Sequence, residues 1–408
     1  MKVLWFVQAN FDPSKEKEGY NGAGWISSLQ NEIVKHEGVE LALAFFGDRD
    51  EKSQTEAISY YSMKMPQLSP VTKILLRARK KFFEEEERLW SCYRQKMQGV
   101  LTDYKPDVIQ IFGSENKYGL IASETTIPVI LHLQGIVAPC LNAYLPPSVS
   151  WPKENYFKTI IKRASRTNWL CMEHSEKEVF KHVHNYIGRT EWDRMITSVL
   201  SPNRNYYYGS EILRDVFYDE KATRQIPTKL TLMSIISIPQ YKGYDMILKT
   251  ASLLKKHLNL DFEWMVAGNI AFKETEASLN IKHDEVNVEL IGVQSAEQLK
   301  NDLLNCTLYV HPSYIDNSPN SVCEAQILGV TCIATNVGGV SSIIKDGETG
   351  FLIPANDPYQ AVYLIKKLYE DKNLNQQIGE NAKKTATIRH NKENIVHQLF
   401  DTYKQLIK

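Results

Sequence analysis

The sequence lacks any excess of charge: 48 Lys and Arg stand against 48 Asp and Glu in 408 residues. A global basic field is therefore excluded, and nucleic acid is not an expected partner. The six cysteines, Cys92, Cys140, Cys171, Cys306, Cys323 and Cys332, include no C-x-x-C pair and no zinc-type spacing. Reduced, buried thiols are expected, and no metal site. No apolar run approaches the roughly 18 residues of a membrane span, and the apolar run in MKVLWFVQANFDP is too short for a signal peptide. A cytoplasmic protein, free or attached at the inner face of the membrane, is the expectation. There is also no G-x-G-x-x-G dinucleotide fingerprint, no short repeat and no low-complexity tract.

What is present is a rhythm. The length exceeds the roughly 250–300 residues at which single cores stop growing, so two domains are expected. Short apolar runs, KVLWFVQ, ELALAFF, DVIQIF, PVILHL and NWLCM, alternate with helix-like segments in the first half. After a turn-rich stretch, SPNRNYYYGS, read as a linker, the rhythm restarts with LTLMSIIS, FEWMVAG, VNVELIG, CTLYVHPS and VTCIATN. Alternation of this kind predicts an α/β protein of two doubly wound, Rossmann-like parallel-sheet domains facing across a cleft. The expected spans are 1–205 and 206–387. Ligands of such sheets bind beyond the carboxyl ends of the strands, so motifs that follow strands are the candidates.

After the first strand, Gly19, Gly22 and Gly24 precede an amphipathic helix, as in a backbone that approaches a phosphate or a plain flexible loop. In PVILHLQGIVAP, His132 and Gln134 share one face of a strand and are catalytic candidates, with a core histidine the alternative for His132. Arg189, Asp193 and Arg194 cluster in YIGRTEWDRMI, either to bind an anion or to tie the domains together. Lys242 and Gly243 sit between strand and helix, where a lysine can neutralise a phosphate. In HPSYIDNSPNSVCEAQILG, Ser318 before Pro319 fits an N-cap, and Ser321 with Glu324 fits a capping box. The same helix start is a ready anion site. Finally, Lys73, Arg77, Arg79, Lys80 and Lys81 lie among apolar residues of the 73–83 stretch. That pattern suits peripheral membrane contact or a solvated helix with i,i+4 charge pairs.

Taken in order, the glycine loop, the K-G turn, the acid-x7-acid turn from Asp316 to Glu324 and TNVGGVSSIIKDGETGFLIPANDP resemble the retaining family 4 glycosyltransferases of the GT-B fold. The resemblance extends to bacterial enzymes of capsular and surface polysaccharide assembly, through GRT-x-W-D and PSYIDNSPNS. It implies a nucleotide-diphosphate sugar as donor substrate in the second domain, a saccharide or lipid-linked acceptor in the first, and no cofactor. It implies that Glu324 binds the ribose, and that Lys242 with the amides of Ser321 and Val322 holds the diphosphate. Asp316, Asn317 and Asn320 would touch the donor sugar, and Gly22 and Gly24 the donor phosphate. It also sends a C-terminal helix, 388–408, back onto the first domain. Ser237 stands where the family carries an arginine, leaving Arg189 and Arg194 as the candidates for that charge. Asp316 replaces a longer glutamate, and Gln134 a histidine. The alternatives are a nucleotide-sugar epimerase on the same fold and a catalytically silent sugar-nucleotide-binding protein.

Overall fold

The computed structural model describes residues 1–8, 24–55, 57–65, 82–147, 158–237, 240–258, 260–269 and 273–407, the side chains of 82–88 and 158–167 excepted. Among these residues the chain forms two separate sheets. The first contains β1 (Lys2–Phe6), β2 (Glu40–Gly47), β3 (Glu51–Gln54), β4 (Ile58–Lys64), β5 (Val108–Phe112), β6 (Val129–His132), β7 (Asn185–Gly188) and β8 (Asn205–Tyr208). Their spatial order is β3-β4-β2-β1-β5-β6-β7-β8, parallel except for β3 against β4. The second contains β9 (Leu230–Ile235), β10 (Phe262–Ala267), β11 (Val288–Gly292), β12 (Leu308–His311), β13 (Cys332–Thr335) and β14 (Phe351–Ile353). Its order is β11-β10-β9-β12-β13-β14, with every pairing parallel. Strands such as LYVH and CIAT are buried along their whole length because helices cover both faces, which is why they read as continuous apolar runs.

Two expectations are corrected. NWLCM lies inside the helix Lys158–His182, since five apolar letters cannot separate a strand from a buried stretch of a long helix. SPNRNYYYGS contains the edge strand β8, whose tyrosines pair in register with β7, so the first sheet runs through Tyr208 and past the 205/206 division.

The helix Lys392–Ile407 returns to the first sheet. Ile395, Val396, Leu399, Phe400 and Tyr403 fall on one face and join the core formed by Trp5, Trp25 and Phe112. Trp5 donates from Nε1 to the Tyr403 hydroxyl at 3.0 Å, and that hydroxyl donates in turn to Gln110. Among the described residues no helix is long and apolar enough to cross a membrane.

Candidate functional site

In the second sheet the strand order reverses between β9 and β12, and their carboxyl ends open a crevice where a ligand can meet backbone from both sides. The segment after β9 delivers Lys242; the segment after β12 delivers Asp316. Lys242 Nζ lies 2.5 Å from Asp316 Oδ2, and Nε2 of His311, the last residue of β12, donates to the same oxygen at 3.1 Å. Burial opposes a charge on Asp316, yet Lys242 and His311 hold its carboxyl well below the usual carboxylate range. Burial pushes the His311 imidazole the other way, below its ordinary value, so it serves as a neutral donor. The pair retains access to the cleft, with the Lys242 and Asp316 side chains 19% and 14% exposed.

The loop carrying Asp316 is fixed by backbone packing. Gly243, at φ +79°, lies against the Pro312 carbonyl, and Gly338, at φ +53°, lies against the carbonyl of Asp316, where a Cβ would overlap it. The Gly339 amide donates to that carbonyl at 2.9 Å, and the Tyr314 amide donates to Tyr241 at 2.6 Å. Gly338→Ala combines left-handed strain with a steric overlap and is expected to cost about 2–4 kcal/mol, read as a lowered melting temperature.

The helix Asn320–Ile327 follows, and its start departs from both capping expectations. Pro319 is the N-cap and makes no side-chain bond. Ser318 Oγ donates instead to Glu211 at 2.7 Å, and Glu324 turns to Arg214 rather than back to the helix start. The Val322 amide donates to the Pro319 carbonyl at 3.0 Å, which removes it as a diphosphate donor. Asn320 and Ser321 head the helix, where amides have no intrahelical acceptor, and Asn320 Oδ1 is buried without a partner. Glu324, 4% exposed, accepts from Arg214 Nε and from a terminal guanidinium nitrogen, each at 2.8 Å. Burial nonetheless raises its carboxyl above the ordinary value, against the pull of Arg214.

From the first domain, the GRT-x-W-D segment supplies a joint rather than an anion site. Thr190 and Asp193 form a reciprocal capping box at the start of the helix Glu191–Leu200. Both also meet Asn317: Thr190 Oγ1 lies 2.5 Å from Asn317 Oδ1, and Asn317 Nδ2 donates to Asp193 at 2.9 Å. The Asn317 side chain is therefore engaged between the domains. Arg189, 3% exposed, donates to the Gln134 carbonyl at 2.6 Å and stacks over Trp25. It lies 3.8 Å from Glu211, a wholly buried acid that Arg389 approaches at 3.9 Å from the C-terminal side. Burial disfavours charge on Glu211, but Arg389 and Arg189 hold its carboxyl far below the ordinary range. Glu211, Cys323 and His390 form the one group among the described residues whose ligand atoms approach metal-binding separations. The two guanidinium groups already supply the positive charge that a cation would bring, so a salt-linked joint describes the cluster better.

Other expectations need correction. His132 is a core residue: it packs against Trp25 and Phe112, accepts from Gln110 at Nδ1, and is driven down to about 3 by burial and the Arg189 charge. Arg194 is exposed and paired with Glu191 on its own helix, away from the Lys242 pair. Arg189 is consumed by Glu211 and Gln134, so neither arginine stands in for the missing charge at Ser237. Gln134 keeps its position at the cleft through its carbonyl, while its Nε2 is buried without a partner. Gly24 packs against Arg214. Gly22 and the basic side chains of the 73–83 stretch lie outside the described residues. Arg214, Glu211 and Arg389 have no motif around them, and each depends on a partner more than 70 residues away: Arg214 on Glu324, and Glu211 and Arg389 on each other.

Residues 218–385 match the family described as glycosyl transferases group 1. Similar curated proteins include the capsular polysaccharide biosynthesis glycosyltransferase CapM of Staphylococcus aureus, 32% identical over 104 residues, covering 26% of this chain and 27% of CapM. A D-inositol 3-phosphate glycosyltransferase of Paenarthrobacter aurescens is 28% identical over 152 residues, 36% of each chain. The match thus spans about a third of these relatives' own length. Among solved structures, sucrose-phosphate synthase from Thermosynechococcus elongatus aligns with a TM-score of 0.72 at 14% identity, over 99% of this chain and 98% of that one. Anabaena HepE, solved in complex with UDP-glucose, aligns at 0.63 and 13% identity over 100% of both chains. At such identities the likeness is one of fold, two parallel-sheet α/β domains in the GT-B arrangement. Residues 218–385 of this chain thus match the glycosyl transferases group 1 family, and the chain as a whole carries the two-domain GT-B fold.

Proposed function

We propose that the protein is a retaining, metal-independent glycosyltransferase that moves a sugar from a nucleotide-diphosphate sugar to a saccharide or lipid-linked saccharide acceptor in bacterial surface polysaccharide assembly. The observation that carries this reading is the Lys242–Asp316 pair at the switch point of the family-matched domain, followed by the buried carboxylate of Glu324. Lys242 would meet the diphosphate as negative charge grows on the leaving group, and Asp316 the hydroxyls of the sugar. With the start of the helix Asn320–Ile327, Lys242 supplies the positive charge that a divalent ion provides in other transferases. Glu324 would accept from the ribose. The acceptor hydroxyl would attack from the side of the first domain, on the face that the diphosphate leaves, and a departing phosphate oxygen would take its proton. The names of CapM and of the HepE complex with UDP-glucose favour this class of donor and product. The expected setting is the cytoplasm or the inner face of the membrane.

The test is a panel of nucleotide-diphosphate sugars incubated with and without saccharide acceptors, with products read by NMR. Acceptor-dependent transfer that keeps the anomeric configuration of the donor is expected. Inverted product would overturn retention, and donor turned over without any acceptor product across the panel would overturn transfer.

A further inference from the structure

We infer that Arg214 is a positioning residue for the ribose carboxylate, clamping Glu324 so that its two free lone pairs face the vicinal hydroxyls of a nucleotide ribose. The inference rests on the donor reading above and extends it to a residue outside the recognised motif. Three elements meet at Arg214. It lies on the passage between the domains, its guanidinium sits 4.9 Å above the Phe217 ring, and its fork grips both oxygens of Glu324. Its stem lies where the first domain begins a helix at Gly24: a Cβ there would come within 2.9 Å of Arg214 Cδ and 3.0 Å of Cγ. Gly24 is thus the seat of the arginine, and both domains determine where the fork points.

A carboxylate offers about four lone-pair sites, and the planar fork takes one on each oxygen. One acceptor remains on each oxygen, a spacing that matches a pair of neighbouring hydroxyls. A neutral carboxyl would turn one of those acceptors into a donor. Glu324 is buried, and among the described residues Arg214 is the charged group whose field reaches it. Asp215, beside Arg214, pairs with Lys392 at 2.6 Å, and Cys323 on the helix of Glu324 faces Glu211. Without Arg214, burial alone acts on Glu324 and pushes its carboxyl further up, toward the neutral form.

The experiment measures binding of UDP, GDP and ADP to the full chain by calorimetry, then compares the tightest of them with its 2′-deoxy form from mildly acid to mildly alkaline pH. Wild type should prefer the ribose form. Arg214→Met should weaken it at neutral pH by about tenfold or more, lose the preference, and recover both as rising pH ionises Glu324. Gly24→Ala should shift binding in the same direction. Arg214→Lys, which keeps the charge and loses the fork, should recover the affinity and the ribose preference only in part. A misfolded variant would recover at no pH, which separates that outcome. Wild-type affinity and preference in Arg214→Met, or a loss equal for both sugars at every pH in a variant that keeps the wild-type unfolding transition, would overturn the inference. Failure of wild type to bind any of the three diphosphates would overturn the donor reading with it.

Discussion

Lys242→Ala is expected to lower turnover of the nucleotide-sugar donor by about 10²–10³-fold, a loss of about 2.7–4 kcal/mol in transition-state stabilisation. Two effects add. The variant removes a cation at the crevice and, among the described residues, leaves Asp316 with His311 as its side-chain partner, so that an uncompensated negative charge faces the diphosphate. The second effect weakens ground-state binding, the first acts as charge develops. Asp316→Asn in the Lys242→Ala background should therefore recover donor KM and leave kcat low. Steady-state kinetics on both variants check this, and a Lys242→Ala enzyme with wild-type kcat/KM would remove the lysine from the mechanism.

Glu211→Ala is expected to destabilise the protein by about 3–5 kcal/mol, because it leaves the buried guanidinium groups of Arg189 and Arg389 facing each other without a counter-ion. It also strips the acceptor from Ser318 Oγ and Cys323 Sγ, on the far side of the domain joint. The sign of the pH dependence follows from the depressed carboxyl. Its contribution is complete above the ordinary value of 4.5, and is lost as pH falls through the lower folded value. The difference in stability between wild type and Glu211→Gln should therefore be constant near neutrality and shrink in acid. Thermal or urea unfolding across that range decides it, and a constant difference down to strong acid would show that the arginines find other partners.

Much of the fold was legible because parallel strands covered on both faces must be apolar throughout. LTLMSIIS, FEWMVAG, CTLYVHPS and VTCIATN all became strands of one sheet. NWLCM failed for the converse reason: on a long helix five apolar letters look the same. The edge strand Asn205–Tyr208 escaped because its tyrosines and asparagine, half covered, resemble a turn-rich linker. Within the site, Lys242 was a candidate because it sits between strand and helix and Asp316 through the resemblance of its acid-x7-acid turn, and the structure brings the two into contact. It could not reveal Arg214 or Glu211, since nothing local to Arg214 announces a carboxylate 110 residues on. His132 and Arg194 were misplaced because strand alternation and residue type state which side a chain faces, not what already fills that side.

The helix Lys392–Ile407 has a consequence for how the protein is made. The core around Trp5 and Gln110 is closed by Tyr403, so the surroundings of β1 are complete only once the helix Lys392–Ile407, made after it, has docked. Every element of the second sheet emerges from the ribosome in the interval. The second domain can therefore be complete while the first still exposes the apolar groove that this helix fills.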